Sequence, residues 1–205
     1  MKKIIHLFIC ICLSGFIACK KDSVKTDVTG IVVNTGSTTA VAGALVELLQ
    51  TDANCIACQG SSILNTTSDS KGGFTFNFKA QAGYNYTIKA SKNLYYNNAG
   101  SGGVAVNNGQ KNNITVSITP YAWLMLHVKN VSPFGGGDQI GIGGLSGSPI
   151  QLFGSNIDTV FTGLPVNGST SVSIYWTVIK NNVTNTYSDN KYCPAFDTTA
   201  YTINY

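Results

Sequence analysis

Arginine is absent from the 205-residue chain, and all 13 basic residues are lysines. Missing with it is the planar, bidentate donor that grips phosphate, carboxylate and guanine edges. Charge of either sign is scarce, at 11% of residues against roughly 25% in soluble domains. No basic run extends beyond Lys20-Lys21, so nucleic acid is not an expected partner. Histidine is limited to His6 and His127, too few for a histidine-rich metal site. Sustained helical periodicity is lacking too, and so is an apolar run of the about 20 residues that cross a bilayer as a helix. What fills the chain instead is Ser, Thr, Asn, 22 Gly and 10 Tyr. That composition suits short strands and many turns.

The N-terminus carries three regions in order. Met1-Lys2-Lys3 is positive, Ile4–Leu13 is apolar apart from His6, and Ser14-Gly15-Phe16-Ile17-Ala18 leads into Cys19. This is the pattern of a secretory signal. Phe16-Ile17-Ala18-Cys19 resembles the bacterial lipoprotein box, with Phe16 where leucine is usual. The resemblance implies cleavage after Ala18, diacylglycerol on the Cys19 thiol and acylation of its amine. More than one acyl chain matters, because a single chain binds membrane only marginally and reversibly. Loss of residues 1–18 would remove two lysines, leaving 11 against 9 acids. Residues 19–26 are polar and read as a lipidated tether. The charged patch Lys20-Lys21-Asp22 resembles export signals of Gram-negative surface lipoproteins, so the expected location is the outer membrane, lipid-anchored at the cell surface.

After residue 26, short alternating runs bounded by Gly, Asn, Asp or Ser dominate. Phe74, Phe76 and Phe78 alternate with Thr75 and Asn77; Tyr84, Tyr86, Ile88 and Ala90 repeat the pattern, as do Ile114, Val116 and Ile118. Such spacing puts each apolar set on one face of a strand. The all-β class follows. Thr29-Gly30-Ile31-Val32, Val41–Leu48, Thr67–Phe76 and Ala82–Ile88 follow one another as in the carboxypeptidase regulatory-like domain, which this half of the chain resembles. The resemblance implies a seven-stranded transthyretin-like (prealbumin-like) sandwich over 27–119, acting as a non-catalytic module. Transthyretin-like hydrolases use histidine and arginine, and arginine is absent here.

Pro120 is expected to close that unit. A second sandwich is expected over 120–205, immunoglobulin- or fibronectin-like, with strands at Trp123–Val128, Ile150–Phe153, Thr159–Thr162, Ser171–Lys180 and Ala200–Tyr205. Phe134–Ser148, rich in glycine, reads as a mobile loop.

Chemistry-bearing residues are few. His127 sits in an alternating strand with nothing nearby in sequence to orient it, and the aspartates lie singly in turns, so no catalytic residues, metal or cofactor are expected. Cys55-Ile56-Ala57-Cys58 lacks the βαβ setting of a redox motif and the four ligands of zinc. In an oxidising envelope a local disulfide is the expected state. Cys193 is then unpaired, or it takes one partner from that loop and bridges the two units. Tyr95 and Tyr96, in a loop beside Asn97-Asn98 and a Gly-rich stretch, and Tyr187 and Tyr192, flanking another loop, are possible ligand-contact aromatics, since sugar recognition uses aromatic platforms with amide side chains. Packing over the sandwich end is their alternative role. The functional expectation is a non-catalytic structural or protein-interaction module, touching the membrane through its lipid and an envelope protein as partner. The alternative is a glycan-binding surface lipoprotein.

Overall fold

Period-two burial runs along most of the chain: in Lys111–Ile118, Asn112, Ile114, Val116 and Ile118 are buried and the residues between them are exposed. The structure, a computed structural model, describes residues 23–56, 58–96, 103–145 and 147–205. Its regular elements are 14 strands, and none of the described residues forms a helix long and apolar enough to cross a membrane. The signal segment, Cys19, the first four tether residues and Asn97-Asn98 lie outside the described residues.

The expected all-β, tandem-sandwich architecture is present. In the first sandwich, β1 (Ser23–Asn34) is central. It runs antiparallel to β4 (Gly73–Gln81) and parallel to β7 (Lys111–Ile118). The facing sheet is ordered β3 (Ser61–Thr67), β2 (Leu45–Asp52), β5 (Tyr84–Ser91), β6 (Val104–Val106). Between them lie Val28, Val32, Val46, Leu48, Phe74 and Ile88, all buried. Each such aliphatic side chain stabilises by about 1.5–3 kcal/mol relative to exposure. The strand β1 begins at Ser23, so residues 23–26 of the polar stretch expected as tether are already paired with β4.

The second sandwich repeats the first. Here β8 (Tyr121–Lys129) lies between antiparallel β11 (Asp158–Asn167) and parallel β14 (Thr198–Asn204). Opposite run β10 (Ile150–Phe153), β9 (Gln139–Gly143), β12 (Thr170–Lys180) and β13 (Val183–Cys193). Adding seven to each strand number of the first sandwich reproduces this order. The general two-sheet architecture expected for this half is present, with the strand order of its neighbour. Its own core gathers Leu124, Leu126, Ile140, Ile142, Ile174 and Ile203.

One expectation is corrected here. Phe134–Ser148 is not simply a loop, because it contains β9, paired on both sides with β10 and β12. Ile140 and Ile142 are buried in the core, and the glycines between and after them face outward. A side chain at Gly143 would collide with the ring of Tyr175, and one at Gly144 (φ +86°) with the Ser173 carbonyl. At Gly141, Gly143 and Gly144 the absence of a side chain is required by the close approach of Gln151, Tyr175 and Ser173, whereas Gly135, Gly136 and Gly137 before the strand have open space around them. Replacing Ile142 by Ala should therefore lower unfolding free energy by about 2–5 kcal/mol in urea titrations. A shift under about 0.5 kcal/mol, as at an exposed loop, would contradict the placement of β9.

Candidate functional site

The joint between the sandwiches collects the most unusual local geometry. Thr119 and Pro120 alone separate β7 from β8. Residues 94–96, from the connection after β5, grip both sides of that step. The Tyr96 N–H donates to the Thr119 carbonyl (2.8 Å), and the Tyr121 N–H donates to the Leu94 carbonyl (2.9 Å). From the second sandwich, the Phe196 N–H donates to the Tyr121 carbonyl and the Gly168 N–H to the Pro120 carbonyl, both at 2.8 Å. Leu94 (φ 65°) and Phe196 (φ 62°) adopt left-handed backbone, an unfavourable conformation for bulky side chains that persists only where the surroundings over-determine it.

Tyr95 is the wedge. It is buried, its hydroxyl donates to Asn34 Oδ1 at 3.0 Å, and its ring meets Phe196 edge-on at 5.4 Å. Burial raises its pKa above the usual phenol value. The Tyr96 ring packs edge-on against Tyr121 at 4.3 Å. Gly36 (φ +78°) lets the first sandwich touch the second, since a Cβ there would sit 2.6 Å from the Ser169 carbonyl oxygen. Tyr95 and Tyr96 also border a cleft of about 520 Å³ with Leu45, Lys92 and Asn93, but their rings are engaged in the joint.

Contrary to expectation, the other two tyrosines do not flank a loop but lie on opposite faces of β13, which pairs with β12 along its whole length. Tyr187 pairs in register with Trp176 and stacks on it at 5.7 Å. Tyr192 pairs with Ser171, and its side chain is exposed on the outer face of the sheet. The four aromatics do not converge into one groove, because Tyr95 and Tyr96 are drawn into the joint and the strand's two-residue period separates Tyr187 from Tyr192.

Cys55 and Cys58 form a disulfide with Cα atoms 5.7 Å apart. Cys193 is free and buried in the second core, so it does not bridge to that loop.

Sequence reasoning missed three polar clusters, each assembled across strands. His127 does have an orienting partner: its Nε2 lies 2.6 Å from Asp158 Oδ1, and Lys129 Nζ lies 2.7 Å from Oδ2. The β8–β11 register places Asp158 opposite Lys129 and diagonal to His127. Hydrogen bonds from Lys129 and then His127 hold the Asp158 carboxyl below its usual pKa. Lys129 and Asp158 of this trio are exposed, and His127 is half-buried. Buried Asp138 accepts from the Phe134 N–H (2.9 Å), the Asn130 side chain (2.8 Å) and the Gly135 N–H (3.2 Å). The Phe134 N–H is the main cause of its lowered pKa. Lys180 braces this network by donating to Asn130 Oδ1 at 2.8 Å. Third, the Tyr201 hydroxyl donates to Asp189 Oδ2 at 2.7 Å, lowering the Asp189 pKa. Tyr201 itself is pushed up to about 12, first by desolvation and then by that carboxylate. Among the described residues, no group of three or more His, Cys, Asp or Glu side chains could hold a metal ion.

No family model matches the chain, and no curated protein does. Among solved structures, it is similar to the TIE protein of Bacillus anthracis, with 15% identity, 88% of this chain and 34% of that one covered, and a TM-score of 0.35. A streptococcal ancillary pilin gives 13% identity, 89% and 63% coverage, and 0.35. The shaft pilin SpaA of Lactobacillus rhamnosus GG gives 10%, 89% and 98%, and 0.34. The chain thus spans under two thirds of the length of the first two. Likenesses at these scores are too distant to bear on fold or activity.

The lowered pKa values of Asp138, Asp158 and Asp189 have a consequence for stability. A carboxylate depressed on folding stabilises above its unfolded pKa of about 3.9, and that contribution is lost as pH falls through the folded value. Thermal melts should show Tm dropping below about pH 4. Asp138→Asn should start lower at pH 7 and show a shallower acid limb; an unchanged limb would contradict the assignment.

Proposed function

We propose that this chain is a non-catalytic module of the bacterial cell envelope, held at the outer membrane through lipid on Cys19. Its two sandwiches act as a stiff spacer that presents the second at a fixed distance and angle to an envelope protein. The observation that carries this reading is the joint. A two-residue step is gripped by main-chain bonds from both sides and wedged by the Tyr95–Phe196 and Tyr96–Tyr121 ring contacts. A flexible tether between binding domains would need none of this, and Gly/Ser-rich sequence would serve it better. The charge pattern agrees with a surface role that does not recruit polyanions, since the basic residues are all lysines and are dispersed.

Anchoring and partnership can be read together. Cells grown with labelled palmitate are surface-crosslinked, and the tagged chain is captured. The account expects label on the captured chain and one envelope protein in near-stoichiometric yield, with Cys19→Ser abolishing the label. Unlabelled protein would contradict the anchor, and capture of the chain alone would contradict the spacer role.

A further inference from the structure

The open side of the second sandwich carries a site that none of the above uses. The sheet containing β13 has four strands and the facing sheet three, ending at β14. The inward-directed face of β13 is consequently left partly uncovered. Register with β12 identifies that face: Asn185 pairs with buried Val178, Tyr187 with Trp176, and Asp189 with buried Ile174. These three β13 side chains are exposed. They stand in a row about 7 Å apart along the strand.

Several features make the row a preorganised recognition surface. Tyr187 is half exposed, and Trp176 stacks on it at an interplanar angle of 21°. Tyr201 from β14 meets Trp176 edge-on at 6.5 Å and ties its hydroxyl to Asp189 Oδ2. Asp189 Oδ1 accepts the Asn190 N–H and Oδ2 the Tyr201 hydroxyl, and each carboxylate oxygen has a second lone pair for a further donor. Asn185 supplies an amide with two donors and an acceptor at the other end. One aromatic platform flanked by a fixed carboxylate and an amide fits a ligand with apolar C–H faces and a rim of hydroxyls.

We propose that the Asn185–Tyr187–Asp189 row, backed by Trp176 and Tyr201, binds a neutral oligosaccharide, with one sugar ring stacked on Tyr187 and its hydroxyls donated to Asp189. An added peptide strand is the competing occupant of any free sheet edge. It would need apolar pockets on alternate positions, and the outward face of β13 offers only Thr184, Thr186, Ser188, Asn190 and Tyr192. The inference is independent of the anchor and of the spacer role.

The test uses the full chain with Trp123→Phe, which leaves Trp176 as the sole indole. Its fluorescence is followed while cello-, laminari-, xylo-, manno- and maltohexaose are added separately. At least one should give a saturable change. Tyr187→Ala should weaken that ligand by about tenfold or more, while Tyr192→Ala, on the opposite face, should not weaken it. Asp189→Asn, which keeps the shape and removes the charge, should weaken it by a smaller factor. Absence of response to all five sugars would overturn the proposal, as would binding indifferent to Tyr187→Ala in a variant with unchanged circular dichroism. Loss of a crosslinked protein partner on Tyr187→Ala, without any sugar response, would assign the row to a peptide instead.

Discussion

The arrangement of this molecule depends on how the backbone passes from Ile118 to Tyr121. Two hydrophobic cores flank that step, and only Thr119 and Pro120 lie between their strands. A connection so short cannot swing without breaking the hydrogen bonds that the 94–96 segment makes on both sides of it. Pro120 adds its own restriction, since its ring fixes φ and limits the residue before it. Leu94 and Phe196 hold left-handed backbone at the same place, which makes sense only if the surrounding contacts outweigh the local cost. Tyr95 joins these elements, with its hydroxyl on Asn34 of the first sandwich and its ring against Phe196 of the second.

The repeated strand order gives the joint a simple logic. Both sandwiches place their first strand at the centre of a three-stranded sheet, parallel to their last. The chain therefore leaves the first unit on a strand beside its entry strand and starts the next at once. The two units differ where function could diverge: β6 has 3 residues, whereas its counterpart β13 has 11. That extension creates the exposed row of Asn185, Tyr187 and Asp189, and the same sheet excess in the first sandwich does not carry such an aromatic shelf on its short outer strand.

Much of this was legible in residue spacing. Phe74/Phe76, Tyr86/Ile88, Ile114/Val116/Ile118 and Val172/Ile174/Trp176/Val178 each display the two-residue period of a half-buried strand, and each is a strand. Strands lacking that signal were missed for identifiable reasons. In β9, glycines occupy the outward positions because Gln151 and Tyr175 crowd them, so a central strand resembles a loop. In β13, both faces are polar because one faces solvent and the other overhangs a narrower sheet. His127–Asp158 is joined by the β8–β11 register and Tyr201–Asp189 across two facing sheets, and a single sequence contains no trace of either kind of pairing between strands so far apart. The tyrosines illustrate the same limit: composition marks them as possible contacts, but only the packing distinguishes the wedge Tyr95 from the exposed Tyr187.

The central claim is that the two sandwiches move as one body, and residual dipolar couplings of the aligned protein test it most directly. The account predicts that amides of β1–β7 and of β8–β14 fit one alignment tensor, with the same magnitude and orientation for both sets. Two tensors of clearly different magnitude would show that the sandwiches reorient independently, and the spacer reading would fail with them.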